Sequence, residues 1–282
     1  MQIERVLQSV QVDGVRLAYR EAGSRDHEPV LLVHGYPANH RCWRHQIPVL
    51  AQSHRVLAVD LIGWANSARP RSVAFDYDTE VARLGRVLDA LGLEQVNLFG
   101  HDYGGFLSLG FAQRHPQRVR RLAILNSRAQ GTFVPRWYAT FALAGFLGRT
   151  PGLRRLAERL PLGAMNRRGM AALVSDGTVE PALLDDYVGW MADPEGARWL
   201  LHFFAEYSVR RRPELRNGLP RIGCPTAVVW GRRDRYLRPA IAEELAAQIP
   251  NAELTIIDEA GHFIMEQRPS AVTDALLRLL AR

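Results

Sequence analysis

Short runs of apolar and β-branched residues recur along the chain at VLQSVQV, VRLAYRE, VLLVHG, RVLAVD, QVNLFG, RLAILN, TAVVWG and LTIIDE, each bounded by polar or turn-forming residues. Alternation or unbroken apolarity over about four to eight residues marks a strand, so these runs predict eight strands. The first two read as an antiparallel hairpin turned at Asp13-Gly14, a pair that supplies the positive φ tight hairpin turns need. From VLLVHG onward the strands alternate with segments of helical period. Between Thr79 and Leu91, for example, Val81, Leu84, Val87, Leu88 and Leu91 share one face. Strand and helix in alternation imply right-handed crossovers and a sheet covered on both sides. The expected fold is therefore α/β, an eight-stranded mostly parallel sheet flanked by helices.

That rhythm breaks between LAILN and TAVVW. Residues 129–217 hold no convincing strand but carry the helical stretches WYATFALAGFLG, LRRLAERL and RWLLHFFAEYSV. Pro151, Pro161, Pro181, Pro194 and Pro213 cut this region into short pieces. It has the size of a helical cap, or lid, inserted into a core domain made of residues 1–128 and 218–282.

Composition narrows the function classes. A chain of 282 residues can bury a substantial core. No run of 18 apolar residues and no leader pattern is visible, so a soluble cytoplasmic protein without membrane contact is expected. The two cysteines, Cys42 and Cys224, stand apart from any second thiol or histidine pair, which argues against a disulfide or a bound metal. All 36 basic residues are arginine. Without lysine, Schiff-base and P-loop chemistry are excluded, and no cofactor is expected. The net charge of +7 is concentrated in the middle: residues 127–221 carry 14 arginines against nine acids. No arginine stripe interleaved with aromatics accompanies it, so the surplus reads as a solvated surface rather than a nucleic-acid site. A homodimer stays open.

The stretch Gly100-His101-Asp102-Tyr103-Gly104-Gly105 follows the strand QVNLF and precedes the helical run FLSLGFAQRH. A strand-to-helix turn this sharp strains its central residue and needs small neighbours. Asp102 would then stand above a helix N-terminus, where free N–H groups and the helix dipole favour a negative charge. On these residues alone, an ordinary N-cap role for Asp102 is equally open. Later in the chain Asp234 lies just past TAVVWG, and His262 just past LTIIDE. The turn followed by an acid and then a histidine at strand ends resembles the nucleophile elbow and triad order of the α/β-hydrolase fold, and that resemblance implies a catalytic set of Asp102, Asp234 and His262.

This order resembles the α/β-hydrolase superfamily, and the form of VLLVHGYPANHRCW and DLIGWANSARP is similar to its aspartate-nucleophile branch, the epoxide hydrolases and haloalkane dehalogenases. The resemblance covers nearly the whole chain and is weakest in the lid. It implies an oxyanion hole from the backbone N–H groups of Tyr36 and Tyr103, and a cis Tyr36-Pro37 bond. It also implies a covalent alkyl ester on Asp102, hydrolysed by water that His262 activates with Asp234 behind it.

The leaving group is less legible. Tyr103 and Tyr36 stand where many dehalogenases have tryptophan and asparagine, and Asn126 occupies the place where another dehalogenase branch carries its acid. The expected activity is therefore an epoxide hydrolase, with a haloalkane or haloacid dehalogenase as the alternative and a non-catalytic ligand-binding relative behind both. Opening an epoxide needs a proton donor, for which the lid offers Tyr207, Tyr138 and Tyr187. The expected substrate is a small, largely apolar organic molecule in a pocket to which Trp137, Trp190, Trp199 and His202 could contribute.

Overall fold

Eight strands lie in one sheet in the order β1-β2-β4-β3-β5-β6-β7-β8, in a computed structural model that describes residues 7–70, 72–129, 133–207 and 212–282. They are β1 (Gln8–Val12), β2 (Val15–Ala22), β3 (Pro29–Val33), β4 (Arg55–Val59), β5 (Val96–His101), β6 (Val119–Leu125), β7 (Thr226–Gly231) and β8 (Ala252–Ile257). Val6, the first residue of the first predicted run, lies outside the described residues. The β1–β2 hairpin closes as expected, with Val12 opposite Val15 and positive φ at Asp13 (54°) and Gly14 (73°). β2 also runs antiparallel to β4, and every later pairing is parallel. β5 and β7 are buried at every residue, as strands covered on both faces should be.

Twelve α-helices complete the described chain. α1 (Ile47–Leu50) and α2 (Tyr77–Ala90) precede β5, and α3 (Tyr103–Arg114) follows it directly. α2 begins two residues before the predicted Thr79, because Asp76 caps it by accepting from the N–H groups of Asp78 and Thr79. Of its predicted face, Val81, Leu84, Val87 and Leu88 are buried, while Leu91 is the C-cap just past the helix end and is half-buried.

Between β6 and β7 come α4 (Pro135–Arg149), α5 (Pro151–Ala157), α6 (Leu162–Ser175), α7 (Pro181–Val188), α8 (Pro194–Glu206) and α9 (Pro213–Asn217), with no strand among the described residues there. The prolines explain the segmentation. Five of these six helices start on a proline, where a missing N–H and a fixed φ cost nothing, and the sixth starts just after Pro161. Aromatic contacts tie this region to the loops past β3 and β4: Phe203 of α8 stacks on Tyr36, and Trp190, between α7 and α8, meets Trp64 edge-on. The chain then continues through α10 (Ala240–Gln248), α11 (Ile264–Gln267) and α12 (Pro269–Leu280). Among the described residues no helix is long and apolar enough to cross a membrane.

Candidate active site

Asp102 sits between β5 and α3 with φ 48° and ψ −113°, a conformation that costs a non-glycine residue on the order of 1–3 kcal/mol. The surroundings hold it there. Its N–H donates to Leu125 O at 3.0 Å, and its carbonyl accepts from Ser127 Oγ at 2.5 Å and from Phe106 N at 3.0 Å. The turn also needs glycine nearby: a Cβ on Gly35 would stand 2.4 Å from Asp102 Cβ, and one on Gly104 would stand 2.4 Å from Val33 O.

Although Asp102 occupies the N-cap position of α3, its side chain makes no capping hydrogen bond. Its Oδ1 instead accepts from the Tyr36 N–H at 3.0 Å, and its Oδ2 lies 3.5 Å from His262 Nε2. The N-cap alternative therefore falls. The Tyr103 N–H belongs to the first turn of α3, which has no carbonyl one turn earlier to bond.

The segment carrying Tyr36 is fixed by a buried polar network. His34 Nδ1 donates to Gly35 O at 2.9 Å, while its Nε2 accepts from Leu61 N at 3.1 Å, which defines the tautomer. Asp60 accepts from His40 N and His40 Nδ1, both at 2.8 Å, and from Asn66 Nδ2 at 2.9 Å. HGYP and DLIGWANS thus act on each other: the second loop holds the first in place. The Tyr36-Pro37 bond is cis, as expected.

His262 lies between two carboxylates. Its Nδ1 donates to Asp234 Oδ2 at 2.8 Å. Asp234 Oδ1 accepts from the N–H groups of Tyr236 at 2.7 Å and Leu237 at 3.0 Å, and Asn126 Nδ2 reaches Oδ2 at 2.7 Å. Burial raises the Asp234 carboxyl, but the His262 charge and these donors more than offset it and hold the group below the usual carboxylate range. Asp102 is likewise lowered, burial being outweighed by His262, His101 and the Tyr36 N–H. Burial alone would depress His262, yet the two carboxylates reverse that and push it up to about 10. The two carboxylates beside it favour the protonated ring.

Two residues have a supporting role that the sequence pattern does not announce. Asn126, at φ 41° just past β6, bonds both Asp234 and, at 3.3 Å, Gly261 O. His101 Nε2 donates to the His262 carbonyl at 2.9 Å. Burial lowers His101 to about 4, so it serves as a neutral prop for the His262 loop.

Asp102, His262 and Tyr36 open onto a cavity of about 600 Å³ walled mainly by aromatic and aliphatic side chains. Tyr103, Tyr207, Tyr236, Trp137, Phe141 and Phe203 are among them. Tyr207 Oη accepts from Arg128 Nη2 at 2.9 Å, and the buried Arg128 guanidinium lies 4.3 Å over the Phe106 ring. Tyr138 is placed differently from the expectation: it is exposed on α4, whose phase turns Trp137, Thr140 and Phe141 to the cavity instead. Tyr187 is buried elsewhere and donates to Glu266 Oε1 at 2.7 Å. Trp199 and His202 line a separate cavity, and Trp190 packs on Trp64. Among the described residues no group of three or more His, Cys, Asp or Glu could hold a metal ion, and both cysteines are free thiols.

Comparison with known proteins places the chain among relatives. A model of the alpha/beta hydrolase fold matches residues 28–269. A 2-hydroxymuconate semialdehyde hydrolase of Pseudomonas sp. strain CF600 is 29% identical over 258 residues, 89% of this chain and 85% of that protein. Epoxide hydrolase 4 of Mus musculus is 24% identical over 287 residues, 95% of this chain and 77% of that protein. The solved structure of a mutant of an epoxide hydrolase from Bacillus megaterium superposes with a TM-score of 0.80 at 22% identity, covering 98% of this chain and all of that one, which is a likeness of fold.

Proposed function

The chain belongs to the α/β-hydrolase family, and within it we propose a hydrolase that opens epoxides through a transient ester on Asp102. One observation carries this reading: an ionised carboxylate stands at the strand-to-helix turn, one oxygen on a backbone N–H and the other directed between His262 and the cavity. A serine there would suit acyl carbons. A carboxylate suits displacement at a saturated carbon, because the resulting alkyl ester can be hydrolysed at the carboxyl carbon.

Asp102 Oδ2 attacks a ring carbon, the carbon–oxygen bond of the epoxide breaks, and the released alkoxide takes a proton from Tyr207. The Tyr207 oxygen already accepts from Arg128, so its own hydrogen is available to the cavity and the developing phenolate has a cation beside it. Ester formation cancels one of the two charges that hold the His262 proton, and that proton is given up to the Tyr207 phenolate, which restores the phenol and leaves a neutral imidazole. The imidazole then becomes the base that deprotonates water for attack on the Asp102 carboxyl carbon. The Tyr36 N–H, with that of Tyr103, receives the oxyanion. Collapse breaks the bond from the Asp102 carboxyl carbon to the alkyl oxygen, which takes the proton His262 drew from water and leaves as a vicinal diol, while the Asp102 carboxylate is restored. Each such donor is worth about 2.7–4 kcal/mol. α4–α9 act as the lid that keeps bulk water from the ester. Relatives named for a muconate semialdehyde share the fold at 29% identity; the nucleophile of this chain favours the epoxide.

A trapping experiment tests the proposal. His262→Gln leaves ester formation possible and removes the base for its hydrolysis. Mass spectrometry after exposure to a trial epoxide is expected to find the substrate mass added to the peptide containing Asp102. A peptide that stays unmodified across an epoxide panel, but is modified by a haloalkane, moves the assignment to dehalogenation. No modification by either class removes the covalent mechanism.

A further inference from the structure

Seven large hydrophobic side chains stand exposed within one stretch of the lid: Tyr138, Leu143, Phe146, Leu153, Leu156, Leu160 and Met165. Among the described residues only three others of this kind, Leu7, Leu254 and Leu277, are exposed anywhere else. Single exposed apolar residues need no explanation, whereas such a concentration on consecutive helices marks a contact surface. On α4 the spacing of Leu143 and Phe146 puts them on one outward face, and at 58% and 54% exposure neither has found cover in the fold. α5 packs on α4 and carries Leu153 and Leu156, and Met165 on α6 reaches the rim of the Asp102 cavity.

The charge of the same stretch is equally uneven. Residues 135–170 contain seven arginines and a single acid, Glu158, a surplus of six out of the chain's net seven. The sequence pattern alone reads these arginines as solvent-facing; the fold exposes Arg155 and Arg159 in the same packed α4–α5 stretch as Leu143, Phe146 and Leu156, so basic and apolar side chains share that part of the surface. We propose that the α4–α6 face of the lid docks on an anionic lipid bilayer, its Leu, Phe and Met side chains entering the headgroup boundary and its arginines meeting lipid phosphates. No spanning helix is needed for such a contact.

Other occupants fit less well. A second copy meeting this face about a two-fold axis would set the arginine surplus of one face, from which the Arg167–Asp185 pair is to be subtracted, against the same surplus on the other. A nucleic acid would use the guanidinium groups and leave Leu143, Phe146 and Leu156 facing water. A bilayer satisfies both halves of the surface, and it places the rim of the cavity, at Met165 and Arg168, beside a reservoir of apolar molecules.

The test is co-sedimentation of the full chain with vesicles of phosphatidylcholine alone or mixed with phosphatidylglycerol. Its readout does not depend on hydrolysis, so it stands or fails separately from the epoxide proposal. Binding is expected to the mixed vesicles, weakly or not at all to the neutral ones, and to decline as salt rises. Leu143→Ser combined with Phe146→Ser should lower the partition coefficient at least ~10-fold. Arg155→Ser combined with Arg159→Ser should lower it ~25-fold, at about fivefold per arginine. None of these four residues touches the Asp102 cavity, so circular dichroism and turnover of a soluble substrate should match the unmodified protein. The proposal is overturned if the mixed vesicles fail to sediment the protein at low salt. It is also overturned if the Leu143/Phe146 variant binds as tightly as the unmodified chain, since charge alone would then explain the attraction. A dimer that this apolar variant dissociates, with no vesicle binding, would assign the face to a second copy.

Discussion

Asn126 Nδ2 donates a 2.7 Å hydrogen bond to Asp234 Oδ2, the same oxygen that receives the Nδ1 proton of His262. Asn126 therefore helps keep Asp234 ionised and fixes the direction from which it holds the imidazole. Asn126→Ala should remove a positioning contact without touching substrate. The expected result is a loss of about 1–3 kcal/mol of stability from the poorly satisfied buried carboxylate. It should also lower kcat with little change in KM, and shift the pH profile because Asp234 titrates less far below its ordinary range. An unchanged profile with the same stability loss would mean that Asn126 supports only the fold.

The coupling of His262 to Asp102 makes a prediction about charge. His262 is held at about 10 by two carboxylates, so Asp102→Asn should bring it down, and an NMR titration of the ring in each protein measures the difference. The raised value also means that the imidazolium contributes folding stability that is whole below the ordinary histidine pKa and lost as pH rises through about 10. In Asp102→Asn that contribution should be smaller and should be fully lost at a lower pH than in the unmodified protein. The same logic applies during turnover: once Asp102 is esterified, hydrolysis should slow as pH falls through the reduced His262 pKa. A ring that titrates identically in both proteins would remove Asp102 as a source of the shift.

Gly35 allows the loop segment carrying Tyr36 to pass against Asp102. Gly35→Ala places a Cβ 2.4 Å from Asp102 Cβ and 2.7 Å from His101 O, atoms with little freedom to withdraw. A stability loss of about 1–3 kcal/mol is expected from the overpacking, with a fall in activity larger than the stability loss explains, because the Tyr36 N–H moves off Oδ1. Gly152→Ala, near the start of α5 with nothing within 4 Å of the added Cβ, is the control and should be neutral in thermal unfolding and in turnover.

The parts of this molecule legible in the sequence are those fixed by local rules. Each strand run is bounded within a few residues by turn formers, Asp13-Gly14 announces its own hairpin, and the glycines around Asp102 report a bend that only small residues permit. The order of Asp102, Asp234 and His262 adds a second local signal at the end of each strand. The supporting residues carry no such signal because their partners are distant: Asn126 and Asp234 are 108 residues apart, and His101 reaches the carbonyl of His262 across 161. An asparagine just past a strand, a residue type tolerant of positive φ, is the only local hint for Asn126. The region of α4–α9 is the least legible. Its helices are short, their phase relative to the cavity is set by packing, and so the tyrosines at 138, 187 and 207 have three different fates: solvent, a buried bond to Glu266, and the cavity wall.

Tyr207 separates epoxide opening from halide displacement. Tyr207→Phe keeps the ring that stacks on Phe203 and loses the oxygen that accepts from Arg128. If this phenol protonates the alkoxide, the rate of ester formation from an epoxide should fall by roughly 10²–10⁴, the usual worth of a general acid. Hydrolysis of an ester once formed depends on His262 and should be nearly unchanged. Burial raises the Tyr207 pKa and Arg128 pulls it back, so the phenol should hold its proton across the neutral range and any loss of ester formation from its ionisation should begin only in alkali. Rapid-quench measurement of the two half-reactions distinguishes them. A variant that forms the ester from epoxides at the original rate would take Tyr207 out of the acid role and leave Tyr236, the cavity tyrosine beside His262, as the next donor to replace.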